Sequence, residues 1–289
     1  MKNKINKVLR DTNKFLTKYL ESQKKTNLLI PMKYSLLPGG KKIRSKILID
    51  VGKIFSIDYK LLIHIGAAVE CIHAYSLIHD DLPCMDNDDM RRGKLSTHKK
   101  FGESTAVLAG NSLLTLAFEI LTDKKLQLSD TKKNNLINLI SKSSGHSGIA
   151  GGQFSDLSFE KKKISKSKII DMQIKKTGKL FSFCCTAPVI IAGKNSYLNK
   201  FKKVGENIGL LFQIADDLID YRGKSSIAGK KTKKDAVKGK ATLISLLGYE
   251  NVINYAEKIK NNTIKILDNH GNKSKDLIDT INFIVSRQT

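Results

Sequence analysis

The stretch that decides the fold is Tyr59–Leu82, YKLLIHIGAAVECIHAYSLIHDDL, followed by Pro83. As a helix, these residues would run about 36 Å, enough to cross a small domain. The stretch is apolar on nearly every face, which leaves two readings: a central buried helix or a membrane span. Charge decides between them. Glu70 lies inside with His64, His73 and His79, and Asp80 and Asp81 end the run. A carboxylate in hydrocarbon is too costly for a plain span. The stretch reads as a core helix whose C-terminal end carries function. Pro83 stops it, because proline cannot donate to the His79 carbonyl and its ring crowds that turn.

Outward from this helix the pattern stays helical. Prolines at 31, 38, 83 and 188 leave long windows between breaks. Ile5, Val8, Leu9, Phe15, Leu16 and Leu20 recur at helical steps, and so do Leu113, Leu116, Ala117 and Ile120. Two-residue alternation bounded by turn dipeptides is missing, which argues against a sheet. No Pro/Gly/Ser linker and no repeat at a fixed period divides the chain. The expectation is an all-α, single-domain protein over residues 1–289.

Composition narrows the class. The 51 Lys and Arg against 27 Asp and Glu give a net charge of +24, and only six of the cations are arginines. That surplus invites nucleic acid, an anionic substrate, or drift toward lysine codons. With 40% apolar residues the chain can bury a sizeable core. Cys71, Cys84, Cys184 and Cys185 contain no CxxC pair, which argues against a zinc site or disulfide framework and fits a reducing compartment. The start, MKNKINKVLRDTNKF, has no apolar run of signal-peptide type. A cytoplasmic protein without a membrane span is expected.

Two acidic clusters carry the chemistry. Asp80, Asp81, Asp86, Asp88 and Asp89 crowd HDDLPCMDNDDMRRG. Such carboxylates repel one another unless a multivalent cation or basic groups sit among them. All are oxygen donors, so the ion should be hard, Mg²⁺ or alternatively Mn²⁺. The spacing excludes an EF-hand, and aspartates at a helix C-terminus oppose its dipole. The plain alternative is a solvated acidic turn. The second cluster is Asp216, Asp217 and Asp220 in LFQIADDLIDYRG, where i,i+3 and i,i+4 spacing puts the acids on one helical face. Facing one another across a cavity, the clusters would hold two or three Mg²⁺ ions and a polyphosphate.

Where lysine fills nearly every cationic position, arginine should persist where a planar fork is needed for phosphate oxygens. Arg91 and Arg92 follow the first cluster, and Arg44 closes PGGKKIR after Lys41. Gly39-Gly40 would let backbone approach an anion, or would form a plain turn; GGK is no Walker A loop. Lys176-Thr177-Gly178 and the lysine-rich run Gly229–Lys240 add cations. The run reads as a flexible solvated loop, as a lid over phosphates, or as both.

Taken in order, GGKKIR, HAYSLIHDDLPCMDNDDMRRGK, IAGGQFSDL, KTGKLF, FQIADDLIDYRG and GKATL resemble the motifs of the trans-isoprenyl diphosphate synthases, nearest to their bacterial farnesyl diphosphate synthase branch. The resemblance spans roughly residues 27–245. It implies a helical bundle around a deep central cavity, a homodimer, and a Mg²⁺-dependent prenyltransferase using isopentenyl diphosphate with dimethylallyl and geranyl diphosphates. Asp80, Asp81, Asp86, Asp216, Asp217 and Asp220 would bind about three Mg²⁺ ions. Arg91, Lys176, Thr177, Gln213, Lys230 and Lys240 would hold the allylic diphosphate. Lys41, Arg44, His73 and Arg92 would hold isopentenyl diphosphate. The chemical step falls to Asp80, Asp81, Asp86, Arg91, Lys176 and Asp216, with Gln153 and Asp156 on the cavity wall. The departing diphosphate, not a protein base, would take the proton. Tyr75 and Ser76 would set the cavity floor, a combination that goes with a fifteen-carbon product. Ser45 departs from the pattern, standing where the family often has Pro, as do Ala215 and Lys224.

The alternatives are a geranyl or geranylgeranyl synthase of the same family, a terpene cyclase, a non-catalytic partner subunit and a nucleic-acid-binding protein. A cyclase would not need the isopentenyl site, and a partner subunit would tend to lose one acidic motif. A nucleic-acid binder should interleave its basic stripe with exposed aromatics. No such motif occurs, and the chain has no Trp.

Overall fold

Asp58 opens the central helix: its side chain accepts the Leu61 N–H at 3.0 Å and caps α4, Tyr59–Asp80. The structure is a computed structural model that describes residues 1–37, 39–223 and 242–286. The chain divides into two units, Met1–Ile137 and the part running on from Asn138. Helices build both, as expected. Among the described residues the only strands form one short antiparallel hairpin, β1 (Met90–Arg91) with β2 (Lys94–Leu95).

The first unit holds α1 (Lys2–Glu21), α2 (Leu29–Leu36), α3 (Ile43–Ile54), α4, α5 (Thr97–Phe101) and α6 (Glu103–Thr122). Among the described residues α4 and α6 are long and apolar enough to cross a membrane. Yet α4 is the core of this unit: Leu62, Ile65, Val69 and Ile72 are buried, as is Glu70. Helix α3 packs against it through a close approach at Gly66, where an added Cβ would stand 3.1 Å from Ser45 Oγ. Gly110 of α6 admits the His79 ring, since a Cβ there would fall 2.2 Å from Nε2. His79 thereby reaches the Val107 carbonyl at 3.1 Å. Lys46 and Asp50, one turn apart on α3, are 1% and 0% exposed and paired to each other.

The boundary falls inside α7 (Asp130–Ser144). The second unit then contains α8 (Ile149–Phe159), α9 (Lys166–Gln173), a π-turn (Ile174–Gly178), α10 (Lys179–Ile191), α11 (Leu198–Arg222), α12 (Leu243–Leu247), α13 (Tyr249–Leu267) and α14 (Lys275–Val285). Asn207 of α11 donates to Thr263 of α13 at 2.9 Å, which ties these helices through a buried polar pair.

Two prolines expected to punctuate helices do not. Pro31 sits in the first turn of α2, where the N–H would lack a partner anyway. Pro188 lies inside α10, which runs on only to Ile191, so few helical bonds follow the one it removes.

Candidate active site

In the first unit, the acidic cluster is shaped by helix termination. The last carbonyls of a helix lack intrahelical partners. Here the loop after Pro83 turns back to supply them: Asp86 N–H donates to the Asp80 carbonyl at 2.8 Å, and Asp88 N–H to the Asp81 carbonyl at 3.1 Å. Asp86 is thus brought beside Asp80. Asp81 is 2% exposed and receives Arg91, whose Nε lies 2.9 and 3.2 Å from its two oxygens while Nη2 makes a further bond. Nη2 also stands 3.5 Å from Asp88. Burial pushes the Asp81 carboxyl up, against the pull of the guanidinium.

The RRG motif explains how two adjacent arginines serve two places. Arg92 and Gly93 take φ of 53° and 75°, the positive values a two-residue hairpin loop requires. Arg91 turns to Asp81, while Arg92 donates to the Gly39 carbonyl at 3.2 Å. Gly39 and Gly40, at φ 75° and 74°, make room for it: a Cβ on Gly40 would lie 2.7 Å from Arg92 Cζ. The glycine pair therefore admits a guanidinium here. Arg92 Nη2 and Arg44 Nη1 stand 3.5 and 3.1 Å from the same His73 Nε2. Burial first, then Arg44, Arg92, Lys42 and Arg91, push His73 well below the usual imidazole range, so it meets both guanidinium groups as a neutral acceptor. Lys41 is exposed beside the start of α3.

Tyr75 and Ser76 are both buried on α4, one turn ahead of Asp80. The Tyr75 ring meets His79 edge-on at 5.6 Å. Burial and then the Asp80 carboxylate push the Tyr75 hydroxyl up to about 12.

In the second unit, Asp216, Asp217 and Asp220 occupy the end of α11. Asp217 is buried and each oxygen takes an amide: Gln213 Nε2 at 2.7 Å and Gln173 Nε2 at 3.3 Å. The Thr177 hydroxyl donates to Gln213 at 3.3 Å, and Lys176 Nζ to Asp156 at 2.6 Å. Lys176 and Thr177 sit on the π-turn, a widened helical turn that recurs at functional sites. Glycines let backbones touch there. A Cβ on Gly152 would lie 2.1 Å from Lys176 N, and one on Gly209 would lie 2.4 Å from Gly178 Cα. Gln153 is buried with neither amide atom hydrogen-bonded, although buried polar atoms almost always are. Lys230 and Lys240 lie outside the described residues.

Among the described residues no three His, Cys, Asp or Glu side chains lie close enough to hold a metal ion. The Asp81 oxygens are engaged by Arg91, and those of Asp217 by two glutamines. Both clusters are nonetheless pure carboxylate donor sets, which suits a hard cation.

Sequence reasoning missed several residues beside these. Glu70, Lys42 and Ser45 form a buried polar group behind His73, and Gln173 supports Asp217. The signal for Glu70 was its acid in an apolar helix; for Gln173 there was only its nearness to the KTG motif.

A family model described as polyprenyl synthetase matches residues 25–282. The farnesyl diphosphate synthase of Bacillus subtilis (strain 168) is 39% identical over 257 residues, covering 83% of this chain and 86% of that protein. The solved apo structure of an FPP/GFPP synthase from Zymomonas mobilis matches with TM-score 0.88 at 36% identity, over 98% of this chain and 97% of that one. Geranyltransferase from Helicobacter pylori, solved with magnesium and isoprenyl diphosphate, gives TM-score 0.82 at 29% identity, over 98% and 96%.

Proposed function

The chain belongs to the polyprenyl synthetase family, and we propose that it joins isopentenyl diphosphate to dimethylallyl and then geranyl diphosphate, releasing farnesyl diphosphate. The observation that carries this reading is the meeting of Arg44 and Arg92 at one neutral imidazole, His73. Two guanidinium groups drawn to one point suit a dianionic head group, which their planar forks grip bidentately. Lys41 adds an exposed cation just before α3. This half-site takes isopentenyl diphosphate.

The allylic diphosphate is held by Arg91, Lys176, Thr177 and Gln213, with Lys230 and Lys240 as the remaining ligands. Asp80, Asp81 and Asp86 with Asp216, Asp217 and Asp220 would hold Mg²⁺, about three ions in all. Bound Mg²⁺ supplies charge neutralisation on the diphosphate oxygens. The residues do the rest. Arg91 and Lys176 steady the leaving diphosphate as the allylic C–O bond ionises. Arg44, His73 and Arg92 hold the isopentenyl unit so that its double bond attacks the carbocation. The apolar wall of α4 keeps water from quenching that cation, and the lost proton passes to the departing diphosphate. We further expect a homodimer.

The FPP/GFPP description of the Zymomonas chain favours a second reading with a longer product. One experiment separates these. The protein is incubated with isopentenyl and dimethylallyl diphosphates, with Mg²⁺ or with EDTA, and the dephosphorylated products are chromatographed. Farnesol formed only with Mg²⁺ is the expected result. Longer alcohols favour the second reading, and no Mg²⁺-dependent elongation overturns both.

A further inference from the structure

Behind the Arg44–His73–Arg92 group lies a carboxylate with no place in the reaction so far. Glu70 is 3% exposed at the middle of α4. Its Oε1 accepts from the Ser45 N–H at 3.2 Å and from the Ser45 hydroxyl at 2.9 Å. The same hydroxyl lies 3.1 Å from the Gly66 carbonyl. Its other oxygen stands 3.6 Å from Lys42 Nζ, whose side chain is equally buried. Lys42 Nζ donates in turn to the Leu36 carbonyl at 2.7 Å.

The placement matters because of where Lys42 and Ser45 sit. Lys42 is the residue before α3 and adopts φ 47°, ψ 44°, a left-handed conformation that a lysine takes only when its surroundings impose it. Ser45 is in the first turn of α3, where backbone N–H groups have no intrahelical partner. Glu70 thus caps α3 from the neighbouring helix, with its negative charge at the positive end of the α3 dipole. Lys41 and Arg44 flank Lys42 and Ser45 directly. Glu70 is also felt by Arg92, whose guanidinium burial pushes down and Glu70 pulls back up.

We propose that Glu70 is a positioning residue for the isopentenyl-diphosphate half-site: through Lys42 and Ser45 it fixes the turn into α3, and so sets Lys41 and Arg44 against His73 and Arg92. This rests on the function proposed above. A buried anion at the back of the cluster offsets the mutual repulsion of the cations, while the open front is left to the substrate's diphosphate.

The test compares wild type, Glu70→Gln and the double variant Glu70→Gln/Lys42→Met. Glutamine keeps an oxygen for Ser45 but removes the charge facing Lys42. The KM for isopentenyl diphosphate should rise about tenfold in Glu70→Gln, while kcat and the KM for geranyl diphosphate stay within about twofold. The double variant removes the stranded lysine charge, so its melting temperature should recover while the raised KM persists. A KM for isopentenyl diphosphate within about twofold of wild type in both variants overturns the proposal. So does a rise of both KM values together that vanishes as stability recovers, since that is a purely structural effect. If wild type itself fails to elongate, the functional reading has failed separately. Titration calorimetry with inorganic diphosphate in EDTA then still decides: weaker binding by Glu70→Gln supports the positioning role, and equal binding ends it.

Discussion

Gly209→Ala tests whether backbone contact in the second unit sets the π-turn that carries Lys176 and Thr177. The new Cβ would stand 2.4 Å from Gly178 Cα and 2.9 Å from Gly178 N, where ordinary contact begins at 3.4 Å. About 1 Å of overlap must be relieved, and the obstacle is backbone, which cannot rotate away as a side chain can. Overpacking in cores costs about 1–3 kcal/mol, and a rigid obstacle places this case near the upper end. For a chain of this size that corresponds to a melting temperature lower by roughly 6 °C or more. Relief by separation would move Lys176 and Thr177 away from α11 and loosen the bond between Thr177 and Gln213. A displacement of about 1 Å at positioning groups can cost on the order of a hundredfold in rate. The assay is kcat/KM with geranyl diphosphate alongside a thermal melt. Gly178→Ala is the internal control, because its Cβ would meet nothing nearer than 3.5 Å. Equal damage from the two substitutions, or a Gly209→Ala protein with unchanged melting and rate, would refute the reasoning.

Other outcomes follow from the first unit. On the proposed function, Ser76→Phe should shorten the product toward geranyl diphosphate, because a bulky side chain one turn before Asp80 would raise the floor of the proposed cavity; an unchanged farnesol yield on chromatography contradicts that role. His73 gives a pH signature. Its folded pKa is depressed, so below about pH 6.5 the unfolded chain binds a proton that the folded chain refuses. Stability should therefore fall as pH drops below 6.5, by up to about 1.4 kcal/mol per pH unit until the folded pKa is reached. Urea melts of wild type against His73→Gln, at pH 7.5 and 5.5, measure the difference. His64 and His270 shift in the same direction and remain in both proteins.

Much of this was written in local signals. The apolar run from Tyr59 and the stop at Pro83 mark α4 nearly to the residue, because a missing donor acts within one turn of itself, although the Asp58 cap went unread. The acidic motifs were equally legible, since spacing alone puts Asp217 and Asp220 on one face; the hairpin loop at Arg92-Gly93 was not, because its two-residue strands are too short to show an alternating pattern. What escaped depends on which helices touch. Nothing near Ser45 announces Glu70, twenty-five residues away, because the bond between them exists only once α3 lies on α4. The π-turn escaped as well, since KKTG suits an ordinary helix and only the packing of α8 and α11 against it selects the wider turn. Gly39-Gly40 reads from sequence as a close backbone approach to an anion or as a plain turn, whereas its partner, the Arg92 guanidinium, lies far along the chain.

The Lys46–Asp50 pair bears on the history of the sequence. Two opposite charges sealed inside α3 are tolerable together, and replacing both by apolar residues is often neutral or stabilising. Breaking a buried pair by removing one member costs about 3–5 kcal/mol, a large share of a typical domain's stability. Substitutions arrive singly, so each route out passes through a poorly folded intermediate. Lys46 and Asp50 are thus expected to resist replacement one at a time, each held by its neighbour one turn away.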